Sequence, residues 1–90
     1  MQFEFDPFKS EANAAKHGIN FEQAQLIWRD PDRLEIPSRY PDEPRQLVIG
    51  RAKDRIWTAI VTERQGITRL ISVRCARNSE KALYDEQQDD

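Results

Sequence analysis

Arg64, Arg74 and Arg77 are the residues best placed for chemistry in this chain, since each stands at or just beyond the end of a strand-like run and carries a charge that persists across pH. A guanidinium offers paired donors to non-bridging phosphate oxygens, and the same donors stabilise the added charge of a pentacovalent phosphorane. Glu80 and Tyr84 follow four residues apart, hence on one helix face, with Arg77 just before that helix. The carboxylate is a candidate general base and the phenol a candidate proton donor or positioning group. Each also has a plain structural use, because Glu suits a first helical turn and Tyr suits docking. His17 is the only histidine. Imidazole is the group most often used for proton transfer at neutral pH, although in Lys16-His17-Gly18-Ile19 it equally suits the last turn of a helix. Lys53 and Arg55 fall in a turn with easy access to a phosphate backbone, and Arg69 adds a strand cation. Trp57 and Tyr40 are candidates for stacking on bases. Cys75 reads as a small buried residue.

The elements that must position these groups follow from pattern. Ile56–Glu63 and Ile67–Arg74 are rich in Ile, Val, Thr and Trp, and Arg64-Gln65-Gly66 between them predicts a tight hairpin. Arg64 then leaves one strand at the turn while Arg74 and Arg77 leave the other at its far end. A shared site needs a long reach or a strongly bent sheet. Ile71 and Val73 are expected in the core, with Thr68, Ser72 and Arg74 facing away. A last helix starts near Asn78 or Ser79, capped by one of those side chains, and docks through Ala82, Leu83 and Tyr84.

Earlier in the chain, Phe3-Glu4-Phe5 alternates as a short edge strand. Asp6-Pro7 opens a helix that runs to about Lys16 with an apolar stripe of Phe8, Ala12 and Ala15, and Gly18 closes it. Asn20 and Gln23 form a capping-box pattern for a second helix from Phe21, which Asp30-Pro31 stops. Leu34-Glu35-Ile36 is a short strand, and Ser38 to Pro44 is expected to be a mobile loop. Gln46–Arg51 is a further strand, turned by Lys53-Asp54-Arg55. The fold class is therefore α+β, with two helices on one face of an antiparallel sheet and an open second face.

Ninety residues at 38% hydrophobic content suit one small core. Domain limits are set at 1–84, with 85–90 an acidic disordered tail. The lone Cys75 cannot close an internal disulfide and no Cys/His cluster has zinc spacing, so an intracellular, metal-free and cofactor-free protein is expected. No apolar run approaches a membrane span, and Glu4 and Asp6 spoil a secretory signal; a cytoplasmic location is the expectation. The net charge of −2 conceals asymmetry: residues 1–44 hold five Lys/Arg against nine Asp/Glu, and residues 45–84 hold nine against three. One face can attract a polyanion.

The segments FEFDPFKSEANAAKHGINFEQA, IGRAKDRIWTAIVTER and TRLISVRCARNSEKALY, in that order, resemble the BrnT family of bacterial toxins. The resemblance spans Phe3 to Tyr84. It implies a RelE-like fold, metal-independent endoribonuclease activity, and neutralisation by a small BrnA-type antitoxin whose complex with the toxin represses its own promoter. By position, Arg64, Arg74, Arg77, Glu80 and Tyr84 match the family's C-terminal pattern, and His17 its helix-turn motif. Cys75, Lys81 and the acidic tail depart from that pattern.

The expected function is mRNA cleavage by attack of the ribose 2′-hydroxyl on the adjacent phosphate, with Arg64 and Arg74 or Arg77 stabilising the phosphorane and Glu80 first choice for the base. Lys53, Arg55, Trp57 and Arg69 are the expected RNA contacts. The alternatives are a catalytically silent subunit that binds antitoxin and operator, and a plain RNA-binding module. Homodimer and heterotetramer both stay open as assemblies, with operator DNA reached only through the antitoxin complex.

Overall fold

A computed structural model describes residues 1–38 and 44–87. The order of elements is β1 (Gln2–Glu4), α1 (Pro7–His17), α2 (Phe21–Ala24), a 3₁₀ helix (Gln25–Arg29), β2 (Leu34–Ser38), β3 (Arg45–Ala52), β4 (Arg55–Arg64), β5 (Ile67–Cys75) and α3 (Asn78–Glu86). The strands form one sheet in the order β1-β5-β4-β3-β2, antiparallel except for the parallel pair β1 and β5.

Local chemistry explains α1. Asp6 accepts a hydrogen bond from the Phe8 amide at 2.9 Å, Pro7 occupies the first turn, and Gly18 closes the helix at φ 84°. The stripe expected to pack does not: Phe8 is 80% exposed, and Ala12 and Ala15 are exposed with it. The helix turns Ser10 and Asn13 inward instead. The Asn13 amide donates to Ile19 O at 2.8 Å and Val73 O at 2.9 Å and accepts from Val73 N at 3.1 Å, while Ser10 Oγ accepts from Phe21 N at 2.9 Å. Satisfying those buried backbone groups outweighs burying one phenylalanine and two alanines.

The Asn20–Gln23 capping box forms as its spacing indicates, but the expected second helix lasts only four residues before tightening into the 3₁₀ turn. In that turn Ile27 lies against Gly50, where an added Cβ would come within 2.8 Å of Ile27 Cγ2. The edge strand β2 extends beyond Ile36 to take in Pro37 and Ser38; proline is tolerated there because an edge strand has one unpaired side. Residues 39–43, including Tyr40, and 88–90 lie outside the described residues. Asp85 and Glu86, expected in the tail, belong to α3.

A bulge sets the faces of β5. Ile60 pairs with Ser72 and Val61 with Leu70, leaving Ile71 without a partner and reversing the alternation after it. Leu70 and Val73 therefore share the helix-covered face with Trp57, Ala59 and Val61, packed on Ile19, Phe21, Ala24 and Ile27. The expected pairing of Ile71 with Val73 in the core fails for this reason.

The second face is not fully open. There α3 covers a smaller cluster of Ile49, Ala76 and Tyr84 with Leu34, Ile36 and Ile56 against it. Its N-cap is Arg77 rather than Asn78 or Ser79, because the Glu80 carboxylate reaches back to the Arg77 amide at 2.7 Å. No helix among the described residues is long and apolar enough to cross a membrane.

Candidate functional site

The turn between β3 and β4, the end of β5 and the start of α3 meet at one end of the sheet. Lys53 and Asp54 form that turn with φ of 50° and 61°, left-handed values that side chains adopt at a cost of about 1 kcal/mol each. The turn sets Lys53 beside the C-terminal end of α1: His17, Gly18, Lys53, Arg55 and Trp57 line one cleft of about 300 Å³. Arg55 also borders a second cleft of about 390 Å³, lined by Arg51, Asp54, Arg55, Ile56, Cys75 and Lys81. Arg77 is exposed one helical turn before Lys81, whose amide donates to Arg77 O at 2.9 Å. This end thus carries Arg51, Lys53, Arg55, Arg77 and Lys81, and His17 is beside it.

Arg74 and Glu80 support this end rather than lying open on it. Arg74 Nη1 and Nη2 grip the two Glu80 oxygens at 2.7 and 3.0 Å, and Thr58 Oγ1 and the Arg77 amide add bonds of 2.9 and 2.7 Å to Oε1. Thr58 is the cross-strand neighbour of Arg74, which explains why both reach one carboxylate. Burial alone would raise the Glu80 pKa. The Arg74 fork, the Arg77 amide and the Thr58 hydroxyl outweigh it and hold the group at about 2. A carboxylate so stabilised is a weak base, which argues against Glu80 as first choice for proton abstraction.

Tyr84 is similarly engaged. Its hydroxyl donates to Asp30 Oδ2 at 2.6 Å, and the same oxygen accepts from the Arg51 amide at 2.8 Å. Burial and the Asp30 carboxylate raise the phenol pKa, with the Arg51 guanidinium opposing. Burial works against the Asp30 charge, but the Tyr84 hydroxyl and the Arg51 and Asp32 amides bring its pKa below the ordinary value. Tyr84 therefore pins α3 to the corner before β2.

The register separates the remaining residues. Arg64 pairs with Ile67 and Arg74 with Thr58, so the two are six residue steps apart along β4, roughly 20 Å at 3.3 Å per residue. The shared phosphate site expected for Arg64 and Arg74 does not form on this geometry. Arg69 lies toward the Arg64 end and pairs with Glu4 at 3.4 Å. Trp57, expected to stack on bases, is 2% exposed and donates its indole N–H to Ala52 O at 2.8 Å; it is a core residue. Cys75, expected to be buried, is exposed at the second cleft. Thus Lys53, Arg55, Arg74, Arg77 and His17 gather at one end, and Arg64 and Arg69 do not join them.

Arg51 and Lys81 belong to this end and escaped the sequence reading. The four-residue spacing of Arg77 and Lys81 could have marked Lys81. Nothing local marks Arg51, whose setting depends on Asp30 and Tyr84, 54 residues apart.

Among curated proteins, no sequence matches the chain. A family model described as the ribonuclease toxin, BrnT, of type II toxin-antitoxin systems matches residues 5–80, which takes in the whole sheet beyond β1 and the start of α3. With that span covered, the chain belongs to the BrnT family of ribonuclease toxins.

Proposed function

We propose that the chain is a cytoplasmic endoribonuclease with a RelE-like fold that cuts mRNA at the basic end of its sheet. The observation that carries this reading is Arg55 standing between two clefts, one bringing Lys53 and His17 and the other Arg51 and Lys81. A nucleic-acid backbone crossing both would meet four cations within the span of a few nucleotides.

In the step itself the ribose 2′-oxygen forms a bond to the adjacent phosphorus and the bond from phosphorus to the 5′-oxygen breaks. His17 takes the 2′ proton, and the departing 5′-oxygen takes one from the solvent-filled cleft. Arg55 and Arg77 stabilise the phosphorane, while Arg74 and Glu80 act as positioning residues that fix the start of α3. The nucleophile resides in the substrate, so the protein must supply only charge and a proton acceptor. A BrnA-type antitoxin neutralises the toxin, and operator DNA is reached through their complex.

The deciding experiment is cleavage of RNA by the purified chain in EDTA. Products with cyclic or 3′-phosphate ends are expected, with Arg55→Ala and Lys81→Ala each slowing the reaction roughly tenfold or more and leaving the thermal midpoint unchanged. Arg64→Ala should change the rate less than about threefold, since Arg64 lies at the other hairpin end. Loss of cleavage in Arg64→Ala alone would move the site there. A folded chain that cuts neither free nor ribosome-bound RNA would instead be a silent antitoxin-binding subunit.

A further inference from the structure

The molecule has a second distinctive surface on the helix side of its sheet. Phe8 is 80% exposed, Met1 77% and Leu26 38%, among a small set of large apolar side chains that face solvent. Two clefts lie there. Phe5, Pro7, Phe8, Ser10, Glu11, Ala14, Asn20 and Glu22 line the first, about 380 Å³ in volume, and Met1, Phe3, Glu22, Leu26, Trp28 and Arg29 border the second, about 340 Å³. Glu22 is common to both, so they adjoin. Their aromatic floor is rigid: Phe5 meets Phe21, and Phe3 meets Trp28, in edge-to-face contacts with centroids 5.7 and 4.9 Å apart.

We propose that this groove is the docking site of the antitoxin, received as an amphipathic segment with apolar anchors flanked by Lys or Arg. The proposal rests on membership of a toxin-antitoxin family, which requires a protein partner. Charge selects the kind of partner. Glu11 and Glu22 are the only ionisable side chains of the first cleft, and neither joins an ion pair among the described residues; Arg29 is the one cationic side chain lining the second cleft, so the acidic character belongs to the first. Apolar anchors beside unpaired carboxylates complement a basic amphipathic segment and repel nucleic acid. A second copy of this chain fits less well, because a two-fold pairing centred on the first cleft brings four carboxylates, Glu11 and Glu22 of each copy, into one interface.

The test is antitoxin binding by titration calorimetry, with the antitoxin encoded beside the toxin as the probe, on Phe8→Glu and on the double variant Glu11→Lys, Glu22→Lys. All three positions are exposed, so folding is retained. Phe8→Glu is expected to weaken binding at least a hundredfold and the charge reversal at least tenfold, with RNA cleavage unchanged. Affinity unaltered in both variants overturns the proposal. So does a free dimer, seen by sedimentation, that Phe8→Glu disperses while antitoxin affinity is kept; that result assigns the groove to self-association. Because binding is read directly, a chain that cleaves no RNA still decides the question, and the failure of one reading is distinguishable from the failure of the other.

Discussion

Glu80 shows how a residue with catalytic credentials can be committed to structure. Its side chain is 10% exposed and that of Arg74 19%, so the pair is little screened by solvent. The Glu80 pKa is lowered from 4.5 to about 2 in the folded chain, so the stabilisation is fully present above pH 4.5 and is lost as pH falls from there toward 2. The shift corresponds to a contribution on the order of 3 kcal/mol. Thermal midpoints measured from pH 6 to pH 2 should therefore drop steeply in the wild type across that window. Glu80→Gln should lower the midpoint at pH 6 and flatten the drop below pH 4.5; an equally steep fall in the variant would show that other carboxylates control acid unfolding. The spacing of Glu80 and Tyr84 was legible in the sequence, and so was their shared helix face. That Tyr84 docks was legible too, although Ala82 and Leu83, expected to dock with it, are exposed; that Glu80 turns inward was not, because its partner Thr58 lies on a distant strand.

At the scale of elements, the sequence signals that held were local. Asp6-Pro7 and Gly18 delimit α1, the Asn20–Gln23 box starts α2, and Gln65-Gly66 turns the hairpin between β4 and β5 with φ of 54° and 80°. The signals that failed were tertiary. One extra residue at Ile71 reverses the faces of β5, and no propensity marks it, since Ile71 is as good a strand former as its neighbours. Asn13 is the residue that fastens α1 beside that bulge, with three hydrogen bonds to backbone groups of Val73 and Ile19. Asn13→Ala would leave the Val73 N–H and C=O buried without partners. A loss of about 2–4 kcal/mol is expected in urea unfolding, far more than the helix propensity of alanine can return. A change below about 0.5 kcal/mol would mean that water replaces the amide.

For the whole molecule, separation of charge matters more than its total. A chain of net charge −2 would be expected to avoid RNA, yet Arg51, Lys53, Arg55 and Lys81 border two clefts where β3, β4, β5 and α3 meet, while Glu11 and Glu22 line the groove by α1. Binding to single-stranded RNA should thus depend on salt as a basic protein's would. With three to four phosphate contacts, log K should fall against log salt with a slope of about −2 to −3, and Lys81→Ala should make the slope shallower by about 0.7. A slope near zero would remove the polyanion reading of the basic end. The asymmetry between the two halves of the sequence anticipated this separation. The division of the basic half's cations did not appear until the register placed Arg45, Arg64 and Arg69 at the opposite end of the sheet.

The parallel pairing of β1 with β5 also has a consequence for synthesis. On the ribosome β1 emerges before the other strands, but β5, its strand partner among the described residues, emerges after β2, β3 and β4 have been made. Until then Phe3 and Phe5 lack the sheet edge on which they settle, and β1 must wait. The hairpins of β3, β4 and β5 can form first, each from neighbouring sequence. Arg74, Arg77 and Lys81 lie at or beyond the end of β5, so the basic end is completed over the same late interval in which β1 docks. A nascent toxin is therefore without its assembled cation cluster while the strands that scaffold it are still being translated.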